Sequence, residues 1–343
     1  MAASRFSPPV TPLLVGERYL PDDVLQRVLV GLPLDDHRAA ASVCKSFRGI
    51  ITGPRFFAAR RRYGFAERGV VTVFRGDGGL QIKTAHKSDV MATIPVNRLS
   101  YYSTTTDGGA RLFVCTRGWS PPTAEDTPGQ ILALDPSSRR WRRFATLPQV
   151  RGLHCLMWHA GLLYVAGGIS SSTGIPTNSF HVYSEATGLW EELPPMLHAC
   201  VRAASGVIGS ELFIADGEGL TTLQIYDIAT RTWRRGASLP DSQYGSDDAF
   251  VVDGKLCLTH VDHYGKILMG LLFYDPKSNT WTKEATPSMQ VHVVSVHDGR
   301  LVVFKEDGTV VARATDGSWF PIAYGERQKR SVYRSFSRSV LLG

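Results

Sequence analysis

The sequence predicts a small α-helical module followed by an all-β propeller, which we expect to have six blades of four antiparallel strands. Apolar residues recur at helical spacing in the first 65 residues, whereas short alternating apolar runs broken by Gly, Pro, Asp and Ser begin at Val70. Tryptophans then repeat at intervals of 38 to 49 residues. We therefore divide the chain into a disordered tail over 1–18, a helical module over 19–65 and a propeller over 66–343.

The composition is that of a folded protein. Of the 343 residues, 43% are hydrophobic and 20% are charged, which argues against bulk disorder. No apolar run approaches the length that spans a bilayer, so we expect no membrane segment. Residues 1–18 contain three prolines and no apolar core of a secretory signal, although an organelle transit peptide stays open. Five scattered cysteines without a C-x-x-C pair favour reduced thiols and a cytoplasmic or nuclear location.

The net charge of +7 is concentrated at the two ends of the chain. Residues 1–69 carry eleven Lys/Arg and six Asp/Glu, and residues 326–343 carry five and one. The 256 residues between them carry 22 and 24, a net charge of −2. A nearly neutral body gives no reason to expect nucleic-acid binding. The run Arg60-Arg61-Arg62 fits either a nuclear import signal or a solvated helix end.

The helical module begins with a recognisable start signal. Pro21 presets the backbone for a first helical turn, and the carboxylates of Asp22 and Asp23 favour a helix N-terminus. The apolar residues Val24, Leu25, Val28 and Leu29 then lie on one side of the helix. A second helix over about 37–51 and a short third piece ending near Gly64 follow. A bundle this small buries little of its own apolar surface, so we expect a partner to cover part of it.

The remainder of the chain repeats one four-stranded unit. Each of five units ends in a polar turn and a strand with a tryptophan, at Trp141, Trp190, Trp233, Trp281 and Trp319. A period in the forties with four strands is typical of a propeller blade, because a single such sheet cannot cover both of its faces. We expect the tryptophans to pack between blades. The length fits six blades, and we expect the strand-like segment 331–342 to join 70–84 and close the ring.

The helical segment resembles an F-box over about residues 19–60, because the Leu20-Pro21-Asp22-Asp23 start, Leu32-Pro33 and Val43-Cys44-Lys45-Ser46-Phe47-Arg48 occur together. Phe47 stands where this family usually has Trp. The resemblance implies docking to a SKP-family adaptor, and through it to a cullin–RING ubiquitin ligase. For Val28 and Val43, a place in the module's own core is an equal alternative. The expected adaptor-binding residues are Leu20, Pro21, Val24, Leu25, Val28, Leu29, Leu32, Pro33, Val43, Cys44 and Phe47.

The repeat region is similar to kelch propellers through its Tyr/Phe-Asp-x-x-(Thr/Asn)-x-Trp endings and the Gly167-Gly168 doublet. Over 19–325 the combination resembles a plant-type F-box/kelch protein, which implies a substrate-recognition subunit that presents a protein for ubiquitination and degradation. Arginines and exposed aromatic residues on the loops of one propeller face are the usual anchors of such a patch. The alternative is that each arginine binds turn carbonyls of its own blade. The expected substrate-face residues are Arg98, Trp119, Arg151, Arg202, Tyr244, His263 and Gln290.

Catalytic chemistry finds little support in the sequence. His260 and His263 are a conceivable metal pair, but side chains three apart on an extended stretch point to opposite faces and no third ligand follows nearby. Gly76-Asp77-Gly78-Gly79 joins two strands and reads as a hairpin turn rather than a phosphate loop. We therefore expect a non-catalytic chain without cofactor or metal. The rival hypotheses are a kelch interaction scaffold outside a ligase and, less favoured, a metal-dependent propeller enzyme.

Overall fold

A computed structural model of the protein describes residues 13–15, 18–33, 36–65, 67–76, 79–84, 90–95, 103–107, 111–115, 129–135, 140–216, 221–240, 249–261, 267–305, 307, 309–322 and 336–342. The chain divides into two compact units. The first comprises residues 1–68 with the short pieces 136–138 and 341–343, and the second comprises 69–135 and 139–340.

The first unit is a short hairpin followed by four helices. The hairpin pairs β1 (Leu13–Val15) with β2 (Arg18–Leu20), an element that the prediction of a disordered tail did not include. The helices are α1 (Asp22–Val30), α2 (His37–Val43), α3 (Lys45–Ile51) and α4 (Pro54–Arg62).

The predicted second helix is divided in two at Cys44. This residue has an extended backbone, with φ −157° and ψ 168°, and it caps α3 because its Sγ accepts a hydrogen bond from the Phe47 amide at 3.4 Å. The predicted third helical piece is confirmed as α4. The four helices enclose a small core of Leu25, Leu29, Val30, Ile51 and Phe56.

The second unit is an all-β propeller of antiparallel sheets, as predicted. Its first sheet contains β3 (Glu67–Gly76), β4 (Gly79–Thr84) and β5 (Val90–Pro95). Its second sheet contains β6 (Ser103–Thr106), β7 (Leu112–Cys115), β8 (Gln130–Asp135) and β9 (Arg140–Thr146). A two-stranded sheet follows, formed by β10 (Arg151–Gly152) with β13 (Ile169–Ser170).

The next two four-stranded sheets are the most regular. The third sheet contains β11 (Cys155–His159), β12 (Leu162–Ala166), β14 (Phe180–Ser184) and β15 (Leu189–Leu193). The fourth contains β16 (Ala204–Ile208), β17 (Glu211–Ala215), β18 (Leu223–Asp227) and β19 (Thr232–Arg235). In the fourth sheet, β17 and β18 are almost wholly buried while β19 is largely exposed. Inner strands are therefore covered on both faces, as expected for stacked sheets.

A seven-stranded sheet completes the series. It contains β20 (Ala249–Val252), β21 (Lys255–Val261), β22 (Ile267–Asp275), β23 (Thr280–His297), β24 (Arg300–Lys305), β25 (Val310–Arg313) and β26 (Trp319–Pro321). The last strand, β27 (Phe336–Leu342), lies next to β3 in the first sheet, whose order is β27-β3-β4-β5. The closed ring that we expected from this pairing stays a prediction.

The prediction of six blades is wrong in its count. In the described part of the chain there are five sheets of four or more strands, not six. The difference arises at β23, which is one strand of 18 residues. Its first part pairs with β22 and its second part pairs with β24, so two of the expected repeats share a single sheet. The tryptophan spacing predicts repeats, but it does not reveal that two of them are joined by a continuous strand.

The hydrophobic core lies between neighbouring sheets. Tyr164 and Phe180 of the third sheet pack with Leu212, Ile214 and Tyr226 of the fourth. The Trp233 ring also contacts Phe180 across this boundary, with centroids 5.0 Å apart. Its indole Nε1 donates to the Pro194 carbonyl at 2.8 Å, and the Trp281 Nε1 donates to the Ala237 carbonyl at the same distance. The predicted packing of tryptophans between repeats is confirmed at these two positions.

Candidate functional site

The helical module exposes apolar side chains along one side of α1. Val24 is 39% exposed and Val28 is 62% exposed, and Pro21 is exposed at the N-cap of the same helix. Residues separated by three or four positions adjoin on a helix surface, so these three side chains form one stripe. Val43, at the end of α2, is 67% exposed. The alternative that Val28 and Val43 fill the module's own core is therefore wrong.

Other predicted adaptor-binding residues lie inside the module instead. Leu25 and Leu29 are 3% and 1% exposed. They cannot contact a partner unless the module opens, and their burial fixes the rotation of α1 that presents Val24 and Val28. Leu32 and Phe47 are half-buried against the same core.

The remaining predicted adaptor-binding residues differ in their surroundings. Cys44 is partly buried as the cap of α3, and Pro33 is exposed. The Leu20 backbone lies in β2, and its side chain is outside the described residues.

A buried arginine holds the end of α1 in place. The Arg60 side chain is 1% exposed and donates to the Val30 carbonyl at 2.7 Å, to the Leu32 carbonyl and to the Phe65 carbonyl at 2.6 Å. The last carbonyl groups of a helix have no intrahelical donors, and the Arg60 guanidinium supplies the missing donors. The interpretation of Arg60 as a solvated residue or import signal is wrong. The spacing of Phe56 and Arg60, four residues apart on one side of α4, is the sequence signal that could have placed Arg60 inside.

Arg151, expected on the substrate face, is also buried. It is 1% exposed and donates to the Ser179 hydroxyl at 2.6 Å, to the Gly167 carbonyl at 3.3 Å and to the Gln149 side-chain carbonyl at 2.8 Å. The acceptors that the structure gives Arg151 are neutral, and burial lowers its pKa to about 10. The prediction of substrate contact is wrong here. The alternative, an arginine that binds turn carbonyls of its own repeat, is confirmed at this position.

Two histidines beside Arg151 are held neutral. Burial and the positive charge of Arg151 lower the pKa of His154 to about 3. The same two causes lower the pKa of His181, whose Nδ1 lies 3.5 Å from a guanidinium nitrogen of Arg151. Both imidazoles are therefore uncharged at neutral pH. We interpret the cluster as a support for the loop that begins at Gly167 rather than as a reactive centre.

The Gly167-Gly168 doublet shapes that loop. Both residues have positive φ, +64° and +92°. A Cβ at Gly167 would lie 2.6 Å from the Cys200 Sγ, and one at Gly168 would lie 2.5 Å from the Gly152 carbonyl oxygen. Neither position accepts a side chain, because both the backbone conformation and the neighbouring atoms require glycine.

The loop that follows the doublet carries an exposed apolar residue that the sequence prediction missed. Ile175 is 63% exposed, and its carbonyl accepts a hydrogen bond from the Ser170 amide at 3.0 Å. The loop is joined to residues 194–200 because Asn178 and Met196 exchange two hydrogen bonds, of 2.9 and 3.1 Å. Leu197, beside Met196, is 40% exposed. Isolated exposed apolar residues are common, and helical or strand periodicity does not mark them in a loop.

The other predicted substrate-face residues are placed only in part. Arg202 is half-buried with φ +52°. Gln290 lies in β23 opposite Ile267, and its side chain is outside the described residues. Four further predicted positions lie outside the described residues, namely Arg98, Trp119, Tyr244 and His263.

Two segments of the chain match known protein families. Residues 19–58 match the F-box domain, and residues 152–197 match the kelch motif. The chain carries an F-box and a kelch repeat. The F-box match includes all eleven predicted adaptor-binding residues, and the kelch match includes the third sheet, the Gly167-Gly168 doublet and the loop with Ile175.

Similar proteins include plant F-box/kelch-repeat proteins. A putative F-box/kelch-repeat protein of Arabidopsis thaliana is 23% identical over 291 residues, which cover 81% of this chain and 80% of that protein. Another F-box/kelch-repeat protein of Arabidopsis thaliana is 24% identical over 285 residues, 79% of this chain and 58% of that protein. The kelch repeat and BTB domain-containing protein 12 of Homo sapiens is 26% identical over 168 residues, 41% of this chain and 27% of that protein. The matches to the last two thus span less than two thirds of those relatives' lengths.

Within the described residues, no three His, Cys, Asp or Glu side chains are grouped so that they could bind a metal ion. His260 lies in β21, while Asp262 and His263 are outside the described residues. A helix of membrane-spanning length and apolarity is not found in the described part of the chain.

Proposed function

We propose that this chain is the substrate-recognition subunit of an SCF-type ubiquitin ligase. In this proposal the F-box binds a SKP-family adaptor and, through it, a cullin–RING ligase, while the kelch propeller binds a protein substrate for ubiquitination and degradation. The chain itself is non-catalytic and acts by holding the substrate near the conjugating enzyme, which raises its effective concentration. The proposed location is the cytoplasm, the nucleus or both.

The observation that carries the proposal is the exposed stripe of Pro21, Val24 and Val28 within the residues that match the F-box. Covering an exposed valine contributes about 1–2 kcal/mol. A partner that covers Val24, Val28 and Val43 together gains several kcal/mol without disturbing Leu25 and Leu29. An aspartate at these positions places a charge in the covered surface and removes that gain.

Reconstitution with purified components tests the ligase assembly. We expect the full chain to co-elute from a sizing column with a SKP-family adaptor and a cullin. The double variant Val28→Asp, Val43→Asp is expected to elute alone. Leu189→Asp is the matched control, because Leu189 is 68% exposed on the propeller, and it should assemble like wild type. Assembly that survives the double change, or never occurs with wild type, overturns the proposal.

Ubiquitin transfer separates the ligase from its rival, a kelch scaffold outside a ligase. The assembled complex is supplied with ubiquitin, activating and conjugating enzymes, and a cell extract as the source of substrate. We expect conjugates that depend on this chain and disappear with Val28→Asp, Val43→Asp. Stable adaptor binding without conjugates that depend on the chain favours the scaffold.

For the substrate-binding face we propose the loop surface that includes Ile175 and Leu197. Arg151 donates to the Gly167 carbonyl at the start of this loop, and the Asn178–Met196 hydrogen bonds join the loop to residues 194–200. These bonds restrain the backbone that carries Ile175 and Leu197. We expect Ile175→Asp, Leu197→Asp to lose the proteins recovered by proximity labelling with wild type, while adaptor binding stays unchanged. Identical recovery with both chains contradicts this placement.

We also propose that β27 closes the propeller. The sheet order β27-β3-β4-β5 supports this, because it brings the last strand of the chain beside the first strand of the propeller. Such pairing removes a free sheet edge.

A further inference from the structure

A groove between α1 and α4 is lined mainly by polar and positively charged side chains. It has a volume of about 320 Å³ and is lined by Asp23, Gln26, Arg27, Arg55, Ala59, Arg62 and Tyr63. The α1 residues lie at positions i, i+3 and i+4, and the α4 residues lie at i, i+4 and i+7, so each helix presents one side to the groove. The charged members are three arginines and one aspartate.

The three arginines are available for a ligand. Arg27, Arg55 and Arg62 are exposed, and the described residues supply none of them with an ion pair or hydrogen bond. This distinguishes them from the neighbouring Arg60, whose donors are satisfied by backbone carbonyls. Guanidinium groups pair with carboxylates through two parallel hydrogen bonds. The groove therefore has three positively charged guanidinium groups to which the described residues give no partner.

We propose that this groove binds an acidic peptide segment of a partner protein. The lining contains three guanidinium groups and one carboxylate, so its net charge is positive. Charge complementarity therefore favours an acidic occupant. The volume lies within the range of small-ligand pockets and exceeds what one free oxyanion fills. Ala59 and the Tyr63 ring, which is 48% exposed, offer apolar contacts for the aliphatic parts of glutamate side chains.

The groove is separate from the stripe proposed for the adaptor. Successive residues of an α-helix are rotated by about 100° around its axis. The mean direction of Asp23, Gln26 and Arg27 is therefore about 120° from that of Val24 and Val28. Contact with Val24 and Val28 alone therefore does not require a partner to cover the groove. The proposal does not depend on the proposed ligase function, and failure of one leaves the other standing.

Fluorescence anisotropy with the full chain tests the proposal. The probes are labelled hexaglutamate and, as an uncharged match, labelled hexaglutamine. We expect hexaglutamate to bind, with an affinity that falls as salt is added, and hexaglutamine to show no binding. The double variant Arg55→Glu, Arg62→Glu is expected to bind hexaglutamate about tenfold more weakly. Lys45→Glu, on an exposed position of α3 outside the groove, should stay within about twofold of wild type.

Several outcomes overturn the proposal. Equal binding of both peptides, an unchanged affinity of the double variant, or an equal loss with Lys45→Glu would each show that the groove is not the binding site. Displacement of hexaglutamate by inorganic phosphate at matched charge would show a free-anion site instead. If far-ultraviolet circular dichroism shows that the charge-reversal variant has lost helix, the same binding measurement is made with the double variant Arg55→Gln, Arg62→Gln. That variant is expected to bind between wild type and the charge reversal, and wild-type affinity contradicts the proposal.

Discussion

Buried arginines are the feature that most changes the interpretation of individual residues. Arg60 and Arg151 both lie in segments that the sequence places on the surface, and both are 1% exposed. In each case the guanidinium donates to more than one backbone carbonyl. Arg60 thereby completes the end of α1, and Arg151 supports the loop above the third sheet. Both arginines therefore stabilise the fold rather than bind a ligand.

Replacing Arg151 should cost stability rather than binding. Arg151→Leu leaves the buried Gly167 carbonyl without its guanidinium donor and removes the bonds to Ser179 and Gln149, and we expect a loss of about 3 kcal/mol in the free energy of unfolding. Urea titration followed by tryptophan fluorescence measures this loss. The matched control is Arg143→Leu, an exposed arginine of β9, which should change stability by less than about 0.5 kcal/mol. Equal effects of the two variants would refute the structural role.

His154 predicts how stability depends on pH. Its pKa is about 3 in the folded chain, whereas an unfolded histidine titrates near 6.5. Between these values the unfolded chain binds a proton that the folded chain does not, so stability falls as pH falls below about 6.5. From pH 7.5 to pH 5 this one group should remove about 2 kcal/mol.

The variant His154→Leu isolates that contribution. It has no titrating group at this position, so its unfolding free energy should fall less over the same pH interval, and the difference from wild type is the quantity to measure. His181, whose pKa is also lowered, contributes to the slope that remains. Identical pH profiles for wild type and variant would contradict a buried neutral His154.

Helical periodicity predicts the stripe on α1 but not which part of it faces a partner. Val24, Leu25, Val28 and Leu29 follow one pattern in the sequence, yet two of them are buried and two are exposed. The distinction depends on how α1 rotates against α3 and α4, which is set by contacts distant in sequence. The same limit applies to Arg151, because its acceptors Gly167 and Ser179 lie 16 and 28 residues away.

At the scale of elements, contacts between sheets use both aromatic rings and charged groups. Arg111, before β7, pairs with Glu185, after β14, at 2.9 Å, and its guanidinium lies over the Trp158 ring at 5.1 Å. The indoles of Trp233 and Trp281 donate to carbonyls that follow the preceding sheet. The tryptophan period predicts these repeats because Trp190, Trp233, Trp281 and Trp319 each pack against a hydrophobic core cluster. It does not predict that β23 joins two repeats, since Pro287-Ser288 in the middle of this strand indicates a break between two strands.

The indole hydrogen bond of Trp233 has a measurable contribution. Trp233→Phe keeps an aromatic ring beside Phe180 and removes the donor to the Pro194 carbonyl, so we expect a loss of about 1 kcal/mol in unfolding free energy. Trp190→Phe is the comparison, because Trp190 packs on Tyr183 and the structure assigns its indole no hydrogen bond. It should lose less. A loss at Trp190 that matches or exceeds the loss at Trp233 would contradict the role of the indole donor.

At the scale of the whole molecule, the strand order of the first sheet links the end of the chain to its propeller. Deleting residues 336–343 removes β27 and leaves β3 as a free edge. We expect the midpoint of thermal unfolding to fall by about 5 °C or more. Differential scanning calorimetry measures it, with deletion of Gly343 alone as the control. An unchanged midpoint would contradict ring closure through β27.

The most direct test of the account compares two neighbouring residues of α1 in a calorimetric titration with a SKP-family adaptor. Val28 is exposed and Leu29 is buried, so they separate a surface role from a core role. Val28→Asp should weaken adaptor binding by about tenfold or more while leaving the unfolding free energy nearly unchanged. Leu29→Ala should instead lower stability by about 2–4 kcal/mol. Adaptor affinity that is the same for Val28→Asp and wild type would contradict the claim that α1 presents its exposed stripe to a partner.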